Sequence, residues 1–358
     1  MATRFRLVLL LSFLILSGIR TTVYGQQLRE AFRKVHQSVV TVRTKEIDVS
    51  NSSNQVISII DGLGSGVLIS ADGKILTAAH MVQTADVTSV EFPDGQEVIA
   101  RVIGSDVRSD VALLQLKRVP QGIAPATLGD SNKIEVGDQI FVIGAPYGIS
   151  QTLTAGHLSG RHWLNSNDES STSVEFLQTD AAVNGGSSGS PLFNSDGEVV
   201  GIVSRIMSRS GGSEGLAFAT ASNTAKRFLL DRPPFWSGID GLLVTGDLAK
   251  ALNLPQPAGF LVQRIGGGSI GSSLGLNPGT MRATIQGTDI ILGGDVILSV
   301  NEIQITAAST TDLVGERASD NCYERIYNGM SALKLGDNLV VQVLREGRVV
   351  TLSAPVER

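Results

Sequence analysis

Cysteine is almost absent from this sequence: Cys322 is the only one in 358 residues. A single thiol cannot form an intrachain disulfide, so the fold must be stable without covalent cross-links. A cationic excess is also missing, because 34 acidic residues outnumber 29 lysines and arginines, which gives a formal net charge of -5. The sequence therefore lacks the basic surface that nucleic-acid-binding domains use. It also contains no metal-ligand cluster, nucleotide loop or haem motif, so we expect no cofactor.

Apolar runs long enough for a membrane span are missing as well. The apolar run at residues 7–16 follows Arg4 and Arg6 and is shorter than the ~20 residues that a transmembrane helix needs. A basic start, a short apolar run and Gly25 at a suitable cleavage position are typical of a secretory signal peptide. We predict that residues 1–25 are such a peptide and that the protein is periplasmic or secreted. An uncleaved inner-membrane anchor is the alternative.

Aromatic residues make up only 5% of the chain, whereas glycine occurs 40 times. This composition favours short strands joined by tight turns. Apolar spacing predicts a short helix at residues 28–36, and Ser222 is a candidate N-cap for a closing helix. Between them, alternating apolar residues and turn signals predict strands within 66–77 and 87–103, and at 111–116, 139–143, 152–158, 174–178, 199–206 and 216–219. Many short strands without a long helix indicate an antiparallel barrel or sandwich, a mainly β fold.

A break in regular structure divides the chain. Residues 231–236 include Pro233 and Pro234 and predict a domain boundary. We assign residues 26–231 to a first domain and residues 237–358 to a second, smaller α+β domain. The second domain should contain helices at 247–252 and 322–333, and strands at 259–264, 294–300, 338–344 and 348–354.

Three residues are candidates for catalysis. His80 stands at the end of an apolar strand, where a lone histidine is ordinarily structural. Asp110 begins a strand of valine and leucine, where a carboxylate would be partly buried, as the orientation of an imidazole requires. Ser188 lies in Gly185-Gly-Ser-Ser-Gly-Ser-Pro191, whose glycines permit a sharp turn, with the amides of Gly186 and Ser188 as a possible oxyanion hole. A flexible Gly/Ser loop is the alternative, but the order His, Asp, Ser along an all-β chain is that of the chymotrypsin arrangement.

The same segments resemble those of the HtrA (DegP-type) serine proteases. They are Thr77-Ala-Ala-His80, Asp110-Val-Ala-Leu-Leu, Gln178-Thr-Asp-Ala-Ala-Val-Asn-Gly-Gly-Ser-Ser-Gly-Ser-Pro191 and Gly215-Leu-Ala-Phe-Ala-Thr-Ala-Ser-Asn223. The resemblance covers about residues 28–230. It implies a chymotrypsin-like double β-barrel and an exported endopeptidase that degrades unfolded or damaged proteins through an acyl-enzyme. His80 would be the general base, Asp110 would orient it and Ser188 would be the nucleophile.

One departure from the family pattern keeps an alternative open. The family normally has Gly-Asn-Ser-Gly-Gly-Pro where this chain has Gly-Ser-Ser-Gly-Ser-Pro, so Ser190 adds a side chain at a tight position. A protease-fold chaperone, or a PDZ-based binding protein with little turnover, is therefore the alternative function.

The resemblance also implies a substrate cleft. Ala182 stands six residues before Ser188, where trypsin-like enzymes hold an aspartate, so cleavage after lysine or arginine is disfavoured. The implied substrate-binding residues form a backbone edge and narrow the pocket towards a small aliphatic side chain; they are Ser204, Arg205, Ile206 and Leu216. The alternative is that these residues simply end a core strand.

The second domain resembles the PDZ domain that HtrA proteases carry. Trp236-Ser-Gly-Ile239 is similar to its carboxylate-binding loop, which implies that Ser237, Gly238 and Ile239 bind the C-terminus of a peptide. An extra stretch at 281–292 could cover the peptide groove, and a PDZ fold without peptide binding is the alternative. The resemblance further implies a homotrimer formed through the segment before the first barrel.

Overall fold

A computed structural model describes residues 26–50, 56–164, 173–285, 287–306, 325–326, 329–330, 332–334 and 336–356. The predicted signal peptide and most of the helix expected at 322–333 lie outside the described residues, although 325–326 and 329–330 are helical. Within the part of the chain that the structure describes, none of the helices combines the length and hydrophobicity that crossing a bilayer requires.

The first barrel follows a helix, α1, that covers residues 26–35. Its strands are β1 (Val39–Ser50), β2 (Val56–Leu68), β3 (Lys74–Thr77), β4 (Val87–Glu91), β5 (Glu97–Asp106) and β6 (Val111–Leu116). The barrel closes in the order β1-β2-β3-β6-β5-β4, with β4 antiparallel to β1. Alternate residues of β5 are buried, and Val98, Ala100 and Val102 fill the interior, as the period of a half-buried strand requires.

The second barrel confirms the expected double-barrel architecture. Its strands are β7 (Thr127–Leu128), β8 (Gln139–Gly144), β9 (Thr152–Leu164), β10 (Val174–Thr179), β11 (Pro191–Asn194), β12 (Glu198–Ile206) and β13 (Ala217–Ala221). The order is β11-β8-β9-β10-β13-β12, the pairing of β11 with β12 closes it, and β7 joins β12 in parallel.

A closing helix, α2 (Ser222–Leu229), follows the second barrel as predicted. The prediction that Ser222 is its N-cap was wrong. Ala221 occupies the cap position without a side-chain hydrogen bond, and the Ser222 hydroxyl instead donates to the carbonyl of Gly129 at 2.7 Å. A tertiary contact has therefore replaced the local capping bond.

The C-terminal region forms a separate sheet. Its elements are β14 (Ile239–Thr245), α3 (Gly246–Ala251), β15 (Ala258–Ile265), α4 (Ile270–Ser273), β16 (Met281–Ile285), β17 (Thr288–Leu292), β18 (Val296–Val300), β19 (Ile303–Gln304), β20 (Asn338–Arg345) and β21 (Arg348–Pro355). The sheet order is β14-β15-β18-β20-β21, so β14 lies at an edge.

The extra stretch at 281–292 contains the hairpin of β16 and β17, whose strands pair with each other and, among the described strands, with no other. It packs beside β15, where the amide of Ile291 donates to the Gln263 side chain at 2.7 Å. A cavity of about 540 Å³ lies under the hairpin and is lined in part by Asp240 and Arg264. Among the described residues, the hairpin therefore packs beside β15 and makes no strand pairing with β14.

A bidentate ion pair stabilises the C-terminal sheet. The Asp295 carboxylate, only 1% exposed, accepts hydrogen bonds from Nε and Nη2 of Arg345 at 2.8 and 2.7 Å. The same carboxylate accepts from the amide of Asn277 at 2.8 Å, and the hydrogen bond to Asp295 raises the pKa of Arg345. The pair thus ties the last strands to the segment before the hairpin.

One glutamine joins the C-terminal domain to the first barrel. The indole Nε1 of Trp236 donates to the backbone carbonyl of Gln83 at 3.0 Å. The Gln83 side chain in turn donates to the Ser237 hydroxyl at 2.9 Å and to the Ile239 carbonyl at 3.0 Å. The domain junction consequently lies three residues after His80.

Candidate active site

His80 lies on a single 3₁₀ turn, Ala79–Met81, directly after β3. Its side chain is 48% exposed, and Nδ1 lies 2.9 Å from both carboxylate oxygens of Asp110. The backbone amide of His80 also donates to Asp110 Oδ1 at 3.0 Å. When this carboxylate holds the ring proton on Nδ1, the second nitrogen, Nε2, has a lone pair and can accept a proton.

Asp110 is held in a conformation that few residues adopt. Its φ of 53° lies in the left-handed region, which aspartate tolerates better than most non-glycine residues. Besides the two donors of His80, its Oδ2 accepts a hydrogen bond from the Ser204 hydroxyl at 2.6 Å. Ser204 was predicted only as part of the substrate edge, and its side chain also contacts this carboxylate. The bond joins β12 of the second barrel to the first barrel.

The turn at residues 185–191 packs against the strand end that carries His80. The carbonyl of Ser188 accepts from the amide of Ser65 at 2.8 Å, and the amide of Gly189 donates to Val203 at 2.7 Å. Gly189 has φ of 82°, and a Cβ there would lie 2.9 Å from the backbone nitrogen of Ala78. Only glycine permits so close an approach of this turn to the segment of His80.

Within the described residues, Ser188 Oγ makes no hydrogen bond with the ring of His80. In enzymes without substrate this contact is often long, and it tightens when substrate binds. Ser188 is half-buried, and the next residue of the turn, Gly189, is buried.

Two backbone amides of this turn, those of Gly186 and Ser188, have no acceptor in the part of the chain that the structure describes. The carbonyl of Gly185 accepts from the amide of Tyr147 at 2.8 Å, so the N–H of the same peptide group, which belongs to Gly186, points the opposite way. Among the described residues, neither this amide nor that of Ser188 makes a hydrogen bond. Paired N–H groups next to a nucleophile can stabilise the oxygen of a tetrahedral intermediate.

Ser65 was missed from the sequence and lies behind this turn. It is fully buried, and its hydroxyl bonds both the carbonyl of Gly186 and the amide of Ala145, each at 2.9 Å. The sequence signal was slight: a small polar residue that stands between Gly64 and Gly66 near the end of β2.

Ser190, the departure from the family pattern, is accommodated without disrupting the turn. The residue is fully buried, and a Cβ at Gly144 would lie 3.2 Å from its own Cβ, so the absent side chain of Gly144 provides the space. Its hydroxyl has no hydrogen-bond partner in the described structure. The backbone still makes the bonds of a tight turn, from Ser190 N to Ser187 O at 3.0 Å.

The predicted substrate edge lies at the end of β12. Arg205 and Ile206 pair with β13 on one side, whereas on the other side the bonds of the described residues end at Val203. Ile206 is half-buried against the core of the second barrel, and Leu216 is 40% exposed. The guanidinium of Arg205 lies 4.8 Å from the ring centre of Phe176. Ile206 is thus partly a core residue.

The predicted carboxylate-binding loop is a tight turn at the start of β14. Gly238 has φ of 64°, and its carbonyl accepts from Gly266 at 2.7 Å. The Ile239 amide makes a long bond of 3.4 Å to the Ser237 hydroxyl, and in the described structure the amides of Ser237 and Gly238 have no acceptor. These amides lie beside the open edge of β14.

The comparisons with known proteins cover this site. Residues 64–202 match the family model described as a trypsin-like peptidase domain. A probable periplasmic serine endoprotease, DegP-like, of Pseudomonas putida strain W619 is 37% identical over 258 residues, which are 70% of this chain and 53% of the relative. The periplasmic pH-dependent serine endoprotease DegQ of Escherichia coli K12 is 35% identical over 301 residues, which are 81% of this chain and 60% of the relative.

Among solved structures, a variant of the HtrA-type protease AlgW with a decapeptide superimposes with a TM-score of 0.53 at 28% identity. The alignment covers 92% of this chain and 96% of that one. The chain therefore spans 53% to 60% of the length of these curated relatives and nearly all of the solved one.

Proposed function

This chain belongs to the HtrA-type family of trypsin-like serine proteases, and we propose that it is an exported endopeptidase that degrades unfolded or damaged proteins. One observation carries the proposal. The turn at residues 185–191, in which two amides have no acceptor among the described residues, packs against the strand end where the carboxylate of Asp110 holds His80. The relatives that support it are named as periplasmic serine endoproteases.

In the proposed reaction, Ser188 Oγ attacks the scissile carbonyl carbon while its proton moves to Nε2 of His80. The carbonyl oxygen becomes an anion and is stabilised by the amides of Gly186 and Ser188. His80 then gives the proton to the leaving amine, the C–N bond breaks and the acyl group remains on Ser188. A water molecule that loses its proton to His80 hydrolyses this ester and restores the hydroxyl.

The test compares degradation of unfolded casein by the unmodified chain and by Ser188→Ala. The variant should fold and lose about 10⁴-fold or more in rate. Ser187→Ala is the matched control, because it removes the adjacent hydroxyl, whose one bond within the described residues is accepted from the amide of Asn184 at 3.4 Å. A fluorophosphonate probe that labelled Ser187 or Ser190 in place of Ser188 would contradict the assignment.

Ser190 was one motive for the chaperone alternative, the other being the mobility expected of the loops, and the Ser190 side chain fits against Gly144. A chaperone would hold casein without cleaving it. The two functions are therefore separated by the same assay, run once for cleavage and once for suppression of casein aggregation in Ser188→Ala.

For specificity, we propose cleavage after small aliphatic residues. Ala182 is exposed and provides no carboxylate for a basic side chain, while Ile206 and Leu216 are apolar. Chromogenic peptides that differ only in valine or arginine before the scissile bond test this. Faster turnover of the arginine peptide would contradict it.

At the C-terminal domain, we propose that Ser237, Gly238 and Ile239 bind the carboxylate of a peptide, whose chain then lies along the edge of β14. A carboxylate is costly to desolvate unless N–H donors receive it, and unbonded amides meet this need. Calorimetry on full-length Ser188→Ala should detect a peptide with an apolar free C-terminus and not its amidated form. Equal binding of both forms would argue against this role.

For location and assembly, we propose cleavage after Gly25, export to the periplasm or medium, and a homotrimer formed through α1. Phe32 on α1 stacks on His36 with ring centres 5.0 Å apart and is only partly buried, so apolar surface remains for a neighbouring subunit. N-terminal sequencing of the exported protein tests the cleavage site. Light scattering that returned a monomer, unchanged by Phe32→Ala, would argue against the trimer.

A further inference from the structure

We propose that Ser65 is a positioning residue for the oxyanion hole, and the inference rests on the proposed protease function. Ser65 lies on β2 of the first barrel, whereas the turn that it supports belongs to the second. It is fully buried, so it cannot contact substrate and acts only through its neighbours. None of the sequence features that identified the triad includes it.

The backbone of Ser65 fixes the nucleophile to the first barrel. Its amide donates to the carbonyl of Ser188 at 2.8 Å, and its carbonyl accepts from the Thr77 hydroxyl at 2.7 Å. Thr77 ends the strand that leads to His80. Ser65 therefore connects the segments of His80 and Ser188 through two hydrogen bonds of its own backbone, which any residue except proline could make at this position.

The hydroxyl of Ser65 makes two further bonds that depend on the side chain. It lies 2.9 Å from the amide nitrogen of Ala145 and 2.9 Å from the carbonyl oxygen of Gly186. Because an amide can only donate, the hydroxyl accepts from Ala145 and must give its single proton to Gly186. The direction of both bonds is thereby fixed.

These bonds restrain the peptide groups on either side of Gly186. The carbonyl after Gly186 is held by Ser65, and the carbonyl before it, that of Gly185, is held by the amide of Tyr147. Tyr147 follows two residues after Ala145, whose amide Ser65 also holds. The Ser65 hydroxyl thus restrains the carbonyl of Gly186 directly, and it restrains the carbonyl of Gly185 indirectly, through the segment from Ala145 to Tyr147.

The restraint matters because Gly186 is a glycine with φ of 93°. Glycine crosses between positive and negative φ at little steric cost, so the turn itself does not fix the direction of the Gly186 amide. Rotation of the preceding peptide group would turn that N–H away from the developing oxyanion. Without the Ser65 hydroxyl, the carbonyl of Gly186 loses its buried donor and the favoured orientation loses its support.

The test is Ser65→Ala measured beside Ser190→Ala. The control removes another fully buried serine hydroxyl, one that belongs to the turn itself and has no hydrogen-bond partner among the described residues. Loss of a whole oxyanion donor costs about 10²–10³ in kcat, so a weakened one should cost about tenfold to a hundredfold. The oxyanion forms only in the transition state, so KM should change little and fluorophosphonate labelling should slow by a similar factor.

Ser65→Cys provides the second variant if Ser65→Ala folds poorly. It keeps the shape of the side chain with a weaker donor, so its kcat should lie between those of the unmodified chain and Ser65→Ala. In a Ser188→Ala background, peptide affinity should be unaffected by the change at residue 65, which a merely structural defect would not predict.

Two outcomes are kept apart by this design. An active unmodified chain whose kcat survives Ser65→Ala, or falls no more than in Ser190→Ala, overturns the inference alone. An unmodified chain that neither cleaves casein nor reacts with the probe refutes the proposed function and this inference with it.

Discussion

Replacement of Asp110 by asparagine is the sharpest test of how this site is built. The carboxylate accepts three hydrogen bonds, from the amide and Nδ1 of His80 and from the hydroxyl of Ser204. Asparagine has one acceptor oxygen and one NH₂ group, so its nitrogen must face at least one of these donors. The backbone is not strained by the change, since asparagine tolerates a φ of 53° as aspartate does, whereas alanine would add a conformational cost.

The expected loss follows from the tautomer of His80. An NH₂ group that faces Nδ1 requires this nitrogen to be the acceptor, which moves the ring proton to Nε2. Nε2 can then no longer take the proton of Ser188. The same substitution in a chymotrypsin-type triad lowers kcat by about 10⁴, which corresponds to about 5.4 kcal/mol of transition-state stabilisation at 1.36 kcal/mol per decade.

The assay is kcat and KM for casein-derived fluorogenic peptides, with thermal unfolding to show that the variant folds. Asp180→Asn is the matched control, because Asp180 accepts from the amide of His157 at 2.6 Å and lies 3.8 Å from its Nδ1. The control should keep its activity. Retention of more than about a tenth of kcat in Asp110→Asn, or an equal loss in Asp180→Asn, would refute this account of the pair.

Three further predictions concern titration, stability and the choice of histidine. The pKa of Glu214 is lowered from 4.5 to about 2 by hydrogen bonds from the Ser210 hydroxyl, the Ser210 amide and the Arg209 amide. The stabilising contribution of the Glu214 carboxylate should therefore be complete above pH 4.5 and be lost as the pH falls towards 2. NMR titration of the Glu214 carboxyl carbon checks this. Asp295→Ala leaves Arg345 without its buried partner and should lower the free energy of unfolding by about 3 kcal/mol, measured by urea denaturation. His80→Ala should abolish turnover, whereas His162→Ala, which removes a 2.8 Å contact to Gln178, should not; equal losses in a peptidase assay would mean that the wrong histidine is assigned.

The barrels could be predicted from the sequence because their signals are local. Strand alternation and turn residues depend on neighbours in the chain, and the hairpins at 66–77 and 87–103 form as expected. The length of β9 was underestimated, because the strand continues from Leu158 to Leu164 through polar residues and Gly160. These residues have a weak intrinsic preference for strands, and pairing with β10 overrides it. The candidate triad was identified from the order and type of its residues, and both can be read directly from the sequence.

The supporting contacts could not be predicted in this way. The Ser65 hydroxyl meets Gly186 across 121 positions of sequence, and Ser204 meets Asp110 across 94. Such bonds exist only after the two barrels have docked, and no local pattern marks them. The same holds for Ser222, whose hydroxyl was expected to cap its own helix and bonds a distant carbonyl.

The contact between Trp236 and Gln83 has a spectroscopic consequence. The sequence contains two tryptophans, and the other, Trp163, lies on β9 in the second barrel. Trp163→Phe would therefore leave a single indole, partly buried against the core of the first barrel and hydrogen-bonded across the domain junction. Indole emission shifts with the polarity of its surroundings, so this one fluorophore would act as a built-in optical probe. It would report separation of the domains, or a peptide arriving at the adjacent Ser237, in real time and without a chemical label.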